Sequence, residues 1–117
     1  YSGNWSDYSE VVQLSTLSND NMNVAKQFKL HQNYPNPFNP ITNMRYDLPE
    51  EAFVNITVYD MFGNSVKTLV NEKKSSGVKY TQWNAKNKQG QPVSTGVYVY
   101  TIEAGKKKQT KKMILFK

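Results

Sequence analysis

Few side chains in this sequence are of a type that makes or breaks bonds. His31 is the only histidine among 117 residues, and cysteine is absent. Without a thiol, thiolate catalysis and thiolate metal sites are excluded. His31 lies beside a proline-rich stretch, away from any serine and acid, and reads as a polar residue of an extended segment. Glu50 and Glu51 are adjacent, so on a strand they would point to opposite faces. In a turn after Pro49 both are solvated, which makes them a poor acid–base pair. Neither GxGxxG nor GxxxxGK[ST] occurs, so no glycine loop is set to cradle phosphate. In Asn84–Gly90 (NAKNKQG), Asn84 and Asn87 offer the oxygens that calcium takes, but Lys86 and Lys88 would repel a divalent cation. No catalytic residue, metal ligand or cofactor is assigned, and the chain reads as a non-enzyme.

The aromatic residues leave two uses open. Trp83, Tyr98 and Tyr100 would make a stacking platform if exposed, as in a carbohydrate-binding β-sandwich. The favoured expectation is that Trp83 is a core residue between two sheets. Tyr59, Phe38, Phe62 and Phe116 are expected to be partly exposed and available for recognition.

Two segments stand out, one that controls how the chain enters its domain and one at its end. In QNYPNPFNPIT (Gln32–Thr42), Pro35, Pro37 and Pro40 fix φ and remove backbone donors, so neither a helix nor a central strand runs through. Tyr34, Asn36 and Asn39, each before a proline, are pushed toward extended geometry. At the other end, Met113 and Leu115 alternate with Ile114 and Phe116, and Lys111, Lys112 and Lys117 frame them. If one pair packs inward, the other lies outward on an exposed strand. A strand apolar on both faces and framed by lysines has the character of a docking edge, or else of a last strand covered on both sides.

Between these segments the apolar residues follow a period of two. Met44, Tyr46 and Leu48 form one set, Val54, Ile56 and Val58 another, and Tyr98, Tyr100 and Ile102 a third. Asp60–Gly63 reads as a hairpin turn with Gly63 suited to positive φ. Ser65–Val70 returns as a strand, Asn71–Gly77 reads as a charged turn, and Val78–Asn84 is the strand carrying Trp83. After the loop Ala85–Thr95 and the turn Ala104–Lys106, Lys107–Phe116 closes the domain. Six to seven short strands without a helical period predict an all-β fold, an antiparallel β-sandwich.

Net charge is +6, unevenly placed: −4 over residues 1–60 and +10 over residues 61–117. That basic half is either a solvated face or a docking surface for an anionic group. Nucleic acid is not expected, because Arg45 is the only arginine and bidentate phosphate and guanine contacts favour arginine. No stretch approaches the ~18 apolar residues of a membrane-spanning helix. The chain begins at Tyr1, without methionine or leader, and is expected to be a fragment of a longer polypeptide or a processed product.

QNYPNPFNPIT, MRYDLP (Met44–Pro49), VNITVYDMFGNSVKTLV (Val54–Val70), GVYVYTIEAG (Gly96–Gly105) and KKMILFK (Lys111–Lys117), in this order, resemble the C-terminal (type A) sorting domain of the bacterial type IX secretion system. The resemblance covers residues 28–117. It implies an immunoglobulin-like sandwich related to that of the flagellar hook-capping protein. It also implies a non-catalytic module that directs a secreted or cell-surface passenger through periplasm and outer membrane. The implied partners are the outer-membrane translocon and its carrier protein, with a sortase and an anionic lipopolysaccharide as further ones. Cleavage would fall in the polar linker 17–27. Recognition is expected to use Asn33, Tyr34, Pro35, Asn36, Pro37, Phe38, Asn39 and Pro40, the strand start Gly96, Val97 and Tyr98, and the tail Lys111, Lys112, Met113, Ile114, Leu115, Phe116 and Lys117.

Residues 1–16 resemble the closing strand of a truncated fibronectin type III domain, with Val11, Val12 and Leu14 as its apolar positions. An orphan strand of this kind supports an alternative class of function, a structural subunit that polymerises by strand exchange through residues 11–14. A monomer is the simpler expectation.

Overall fold

A computed structural model describes residues 27–116. The expected upstream strand, the linker as far as Lys26, and Lys117 lie outside the described residues. The described strands are β1 (Lys29–Leu30), β2 (Thr42–Leu48), β3 (Ala52–Tyr59), β4 (Ser65–Lys74), β5 (Gly77–Trp83), β6 (Gly96–Ala104) and β7 (Lys107–Leu115). Every pairing between these strands is antiparallel, in one sheet ordered β1-β2-β5 and another ordered β4-β3-β6-β7.

The alternation seen in sequence is what divides inside from outside. Met44, Tyr46 and Leu48 of the three-stranded sheet are buried, and Val54, Ile56, Val58, Tyr100 and Ile102 of the four-stranded sheet meet them. Trp83 is buried at the end of β5, with Tyr98 edge-on to it at a ring separation of 5.4 Å. Trp83, Tyr98 and Tyr100 are thus core residues and offer no exposed stacking platform. The indole N–H still needs a partner, and it donates to the Lys86 carbonyl at 2.9 Å.

One expected turn is shorter than its composition implied. Asn71–Lys74 continue β4, because Ala52–Asn55 extend beside them in register, and the reversal is confined to the step between Lys74 and Gly77. Charged residues there are a solvated strand end rather than a turn. The Asp60–Gly63 turn forms as expected. Asp60 Oδ1 accepts from the Phe62 and Asn64 amides at 2.9 and 3.0 Å, and Gly63 takes φ +89°.

His31 gains a partner that spacing did not reveal. Its Nε2 lies 2.8 Å from Asp47 Oδ2, while Arg45 Nε and Nη2 donate to the same carboxylate at 3.0 and 3.2 Å. Burial pushes the Asp47 carboxyl up, but the bonds from His31 and Arg45 outweigh it and hold the group below the usual carboxylate range. This knot ties the start of the domain to β2.

Candidate docking surface

The proline-rich lead-in, the β6 start and the final strand are far apart in sequence, and the fold brings them to one corner. Register places Gly96 opposite Leu115, Val97 opposite Ile114 and Tyr98 opposite Met113. The lead-in closes this corner from the other side. Phe38 donates its amide to the Ile114 carbonyl at 2.9 Å, and its own carbonyl accepts from the Phe116 amide at 3.1 Å. Asn36 Oδ1 accepts from the Ile114 amide at 2.9 Å, and Gln32 Nε2 donates to the Lys112 carbonyl at 2.7 Å.

Asn33 is the hub that shapes the lead-in. It is almost fully buried. Its amide donates to Tyr100 Oη at 2.7 Å, and that hydroxyl donates to the His31 carbonyl at 2.8 Å. Its Nδ2 reaches the Pro35 carbonyl at 3.1 Å and Thr42 Oγ1 at 2.9 Å. Prolines leave nearby backbone groups without ladder partners, and a buried polar group has to be satisfied from elsewhere. Asn33 and Thr42 supply such bonds to the Pro35 carbonyl, and Asn36 supplies one to the Ile114 amide of the final strand, which gives two of the asparagines around the prolines a structural role. The Tyr34–Pro35, Asn36–Pro37 and Asn39–Pro40 peptides are cis.

Two expectations change here. Phe38 is buried, 1% exposed, with its ring 5.7 Å from Trp83, and so anchors the lead-in instead of offering itself for recognition. The reason is the rigid turn on either side of it, which aims the ring under the indole. The outer backbone edge of the final strand, expected as a docking edge, is filled at Lys112 and Ile114 by Gln32, Asn36 and Phe38. What the final strand leaves open is a face.

Within the expected set, Asn33, Phe38, Tyr98, Met113 and Leu115 are buried. Tyr34, Pro35, Asn36, Pro37, Asn39, Pro40, Gly96, Lys112, Ile114 and Phe116 are exposed, and Val97 and Lys111 are half-buried. Phe62, expected to be exposed and available for recognition, and Met61, for which no such expectation arose, both belong beside this set. The Asp60–Gly63 turn carries them to the β6 start, where Met61, Phe62, Gly96, Val97 and Tyr98 line one open cleft of about 490 Å³. Phe62 is 90% exposed and Met61 62%. The available signal was a Met-Phe pair at a turn tip, where Asn-Gly chemistry is usual.

An apolar end surface results. Met61, Phe62 and Val97 share the cleft, Ile114 is the cross-strand neighbour of Val97, and Phe116 follows two residues later. Lys88, in the cleft wall, and Lys112 add positive charge at its margin. The 84–95 loop that forms the far wall is stiffened by Asn87, whose Oδ1 accepts from the Gln89 and Gln91 amides, each at 3.0 Å. Among the described residues no cluster of three or more histidine, aspartate or glutamate side chains is set to hold a metal.

The profile of one protein family, described as the secretion system C-terminal sorting domain, matches residues 32–116. The chain belongs to that family. The sorting domain resembles three solved structures at an identity that speaks for the fold. Dimeric latent PorU of Porphyromonas gingivalis matches with 21% identity and a TM-score of 0.58, over 72% of this chain and 9% of its own. PorZ, an essential surface component of the type IX secretion system of the same organism, matches with 20% identity and a TM-score of 0.52, over 77% and 11%. FlgD of P. aeruginosa has 16% identity and a TM-score of 0.52, over 78% of this chain and 72% of its own. The chain thus spans about a tenth of the two P. gingivalis proteins. No curated protein matches it. The sorting domain is a module of type IX secretion, directing export through the outer membrane to the cell surface or beyond. Domains of this family engage the secretion machinery and are in general non-catalytic.

Proposed function

We propose that this sorting domain acts without catalysis and is read by the secretion machinery through its apolar end surface, Met61, Phe62, Val97, Ile114 and Phe116, with Lys88 and Lys112 at the margin. The carrying observation is the 90% exposure of Phe62 at a turn that Asp60 holds rigid. Exposed large apolar groups clustered at one site mark an interaction surface, and a preformed one binds without ordering cost. The proline lead-in and buried tail residues shape that surface from behind, while exposed Asn36 and Asn39 extend it; exposed Tyr34 lies apart, beside Arg45 and Tyr80 of the three-stranded sheet. The proposed partners are the outer-membrane translocon and its carrier protein. A sortase cutting within residues 17–27 and transfer to an anionic lipopolysaccharide complete the proposal, and the lysine excess of residues 61–117 supports an anionic neighbour.

Deleting Lys111–Lys117 would not test this reading, because it also removes buried Met113 and Leu115 and the partners of Phe38. The test is export of a fluorescent passenger fused ahead of the full chain in a host with this secretion system. Phe62→Ser and Ile114→Ser should each lower surface fluorescence several-fold while leaving thermal midpoints unchanged. Normal export by the Phe62→Ser, Ile114→Ser double variant would overturn the assignment.

A further inference from the structure

The outer face of the four-stranded sheet carries a second feature, separate from the end surface. Along β3, Phe53, Asn55, Thr57 and Tyr59 alternate with core residues Val54, Ile56 and Val58, so they share the outer face. A plain solvated face would expose its central residues, yet Thr57 is only 6% exposed while Phe53 is 56% exposed. Thr57 forms part of the lining of a trough of about 540 Å³, which Asn55, Thr68, Asn71, Tyr59 and Glu103 also line. The β3–β4 pairing shifts register twice here, between Ile56 and Thr57 and between Val58 and Tyr59. Irregularities of this kind are over-represented beside binding sites.

The polar groups in the trough are already oriented. Thr57 Oγ1 donates to Asn55 Oδ1 at 2.8 Å, and Asn55 Nδ2 donates to Asn71 Oδ1 at 3.3 Å. These bonds fix both amides and leave the Asn71 Nδ2 hydrogens unused among the described residues. Thr68, Thr57, Thr101 and Thr110 are successive cross-strand neighbours, so a row of hydroxyls crosses all four strands. Glu103 stands opposite Asn55.

Charge selects among ligands. Among the described residues no lysine lines this trough, and the one ionic group in its lining is the Glu103 carboxylate. An anionic ligand would meet the Glu103 carboxylate in the lining, while the Lys108 ammonium at the rim is already paired with that carboxylate, Nζ to Oε2 4.0 Å. An extended peptide would find no free backbone, because β3 is paired on both sides, with β4 and with β6. Neutral hydroxyls, oriented amides, a carboxylate and two aromatic rings match a polyhydroxylated, uncharged ligand.

We infer that this trough binds a neutral glycan, with Phe53 and Tyr59 stacking on sugar-ring faces and Asn71, Thr68 and Glu103 bonding the ring hydroxyls. Its volume falls in the range of small-ligand sites, about 300–1,000 Å³. The inference stands apart from the export reading.

The test is native affinity electrophoresis of the full chain through gels containing mannan, xylan, laminarin, dextran or hydroxyethylcellulose, with alginate as the acidic comparison. Retardation is expected in at least one neutral polysaccharide. Asn71→Ala should weaken it, and the Phe53→Ser, Asn71→Ala double variant should abolish it with the β-sheet circular dichroism unchanged. Phe62→Ser, at the end surface, should leave it intact. No retardation in any neutral gel, retardation in alginate alone, or retardation kept by a folded double variant would overturn the inference. Loss in Phe62→Ser would do the same, because binding would then be general apolar adhesion.

Discussion

Replacing Tyr100 by phenylalanine tests the claim that a buried hydroxyl fastens the proline lead-in to the sandwich. The side chain is fully buried, and its Oη links two lead-in backbone groups, donating to the His31 carbonyl at 2.8 Å and accepting from the Asn33 amide at 2.7 Å. Phenylalanine keeps the ring and leaves no cavity, so the cost is that of orphaning a buried amide, about 1–3 kcal/mol. A central loss of about 2 kcal/mol lowers the thermal midpoint of a domain this size by roughly 8–16 °C. A pH arm separates this from a packing defect. Burial pushes the Tyr100 phenol up to about 12, with the Asn33 N–H bond pulling the other way. The folded state therefore holds the proton more tightly than the unfolded state, whose phenol titrates near 10. That contribution is complete below about pH 10 and is lost as pH rises toward 12. Urea denaturation followed by circular dichroism should show a gap of about 2 kcal/mol between native and variant at pH 7, narrowing above about pH 10. Lysine titration is common to both proteins and cancels in the difference. A gap under about 0.5 kcal/mol at pH 7, or one constant from pH 8 to 12, would refute the reasoning.

Four further outcomes follow from the same structure. Phe38→Ala empties a buried site beneath Trp83 and should cost about 3–5 kcal/mol in urea denaturation; a cost under about 1 kcal/mol would mean the ring is no anchor. Asp47→Asn should flatten the acid limb of stability. The Asp47 carboxyl is held below its usual range in the folded state, so its contribution is present above the unfolded value and fades as pH falls through the folded one. An unchanged slope between pH 5 and pH 2 would contradict that (roughly the window in which a lowered carboxylate titrates). Gly63→Ala meets open space but must adopt φ +89°, and a loss of about 1–2 kcal/mol is expected from backbone strain alone, measured by thermal unfolding. Phe62→Ser should stay within about 0.5 kcal/mol of native stability while reducing export, which separates recognition from folding.

The strands were legible because each has one face in the core. Met44, Tyr46 and Leu48, then Val54, Ile56 and Val58, then Tyr98, Tyr100 and Ile102, are buried as their spacing requires. The end of β4 was not legible. Asn71–Lys74 carry polar and charged side chains on both faces, and only their pairing with Ala52–Asn55 makes them strand. Phe38 was misjudged because a proline-rich segment has no periodicity from which to infer which way a ring points. Met61 was missed because its exposure depends on the reach of a turn toward β6, and no local pattern encodes that.

Sequence alone determined the sandwich, its family and the character of its two ends, a stiff proline lead-in and a lysine-framed apolar tail, since alternation, proline placement and ordered motifs are local properties of the chain. Only tertiary structure decided that those ends lock together through Phe38, Asn36 and Ile114. It also decided that the final strand presents a face in place of an edge, and that Phe62 completes the exposed corner. Each of these rests on hydrogen bonds or contacts between residues many positions apart, and such pairings exist only once two sheets have packed.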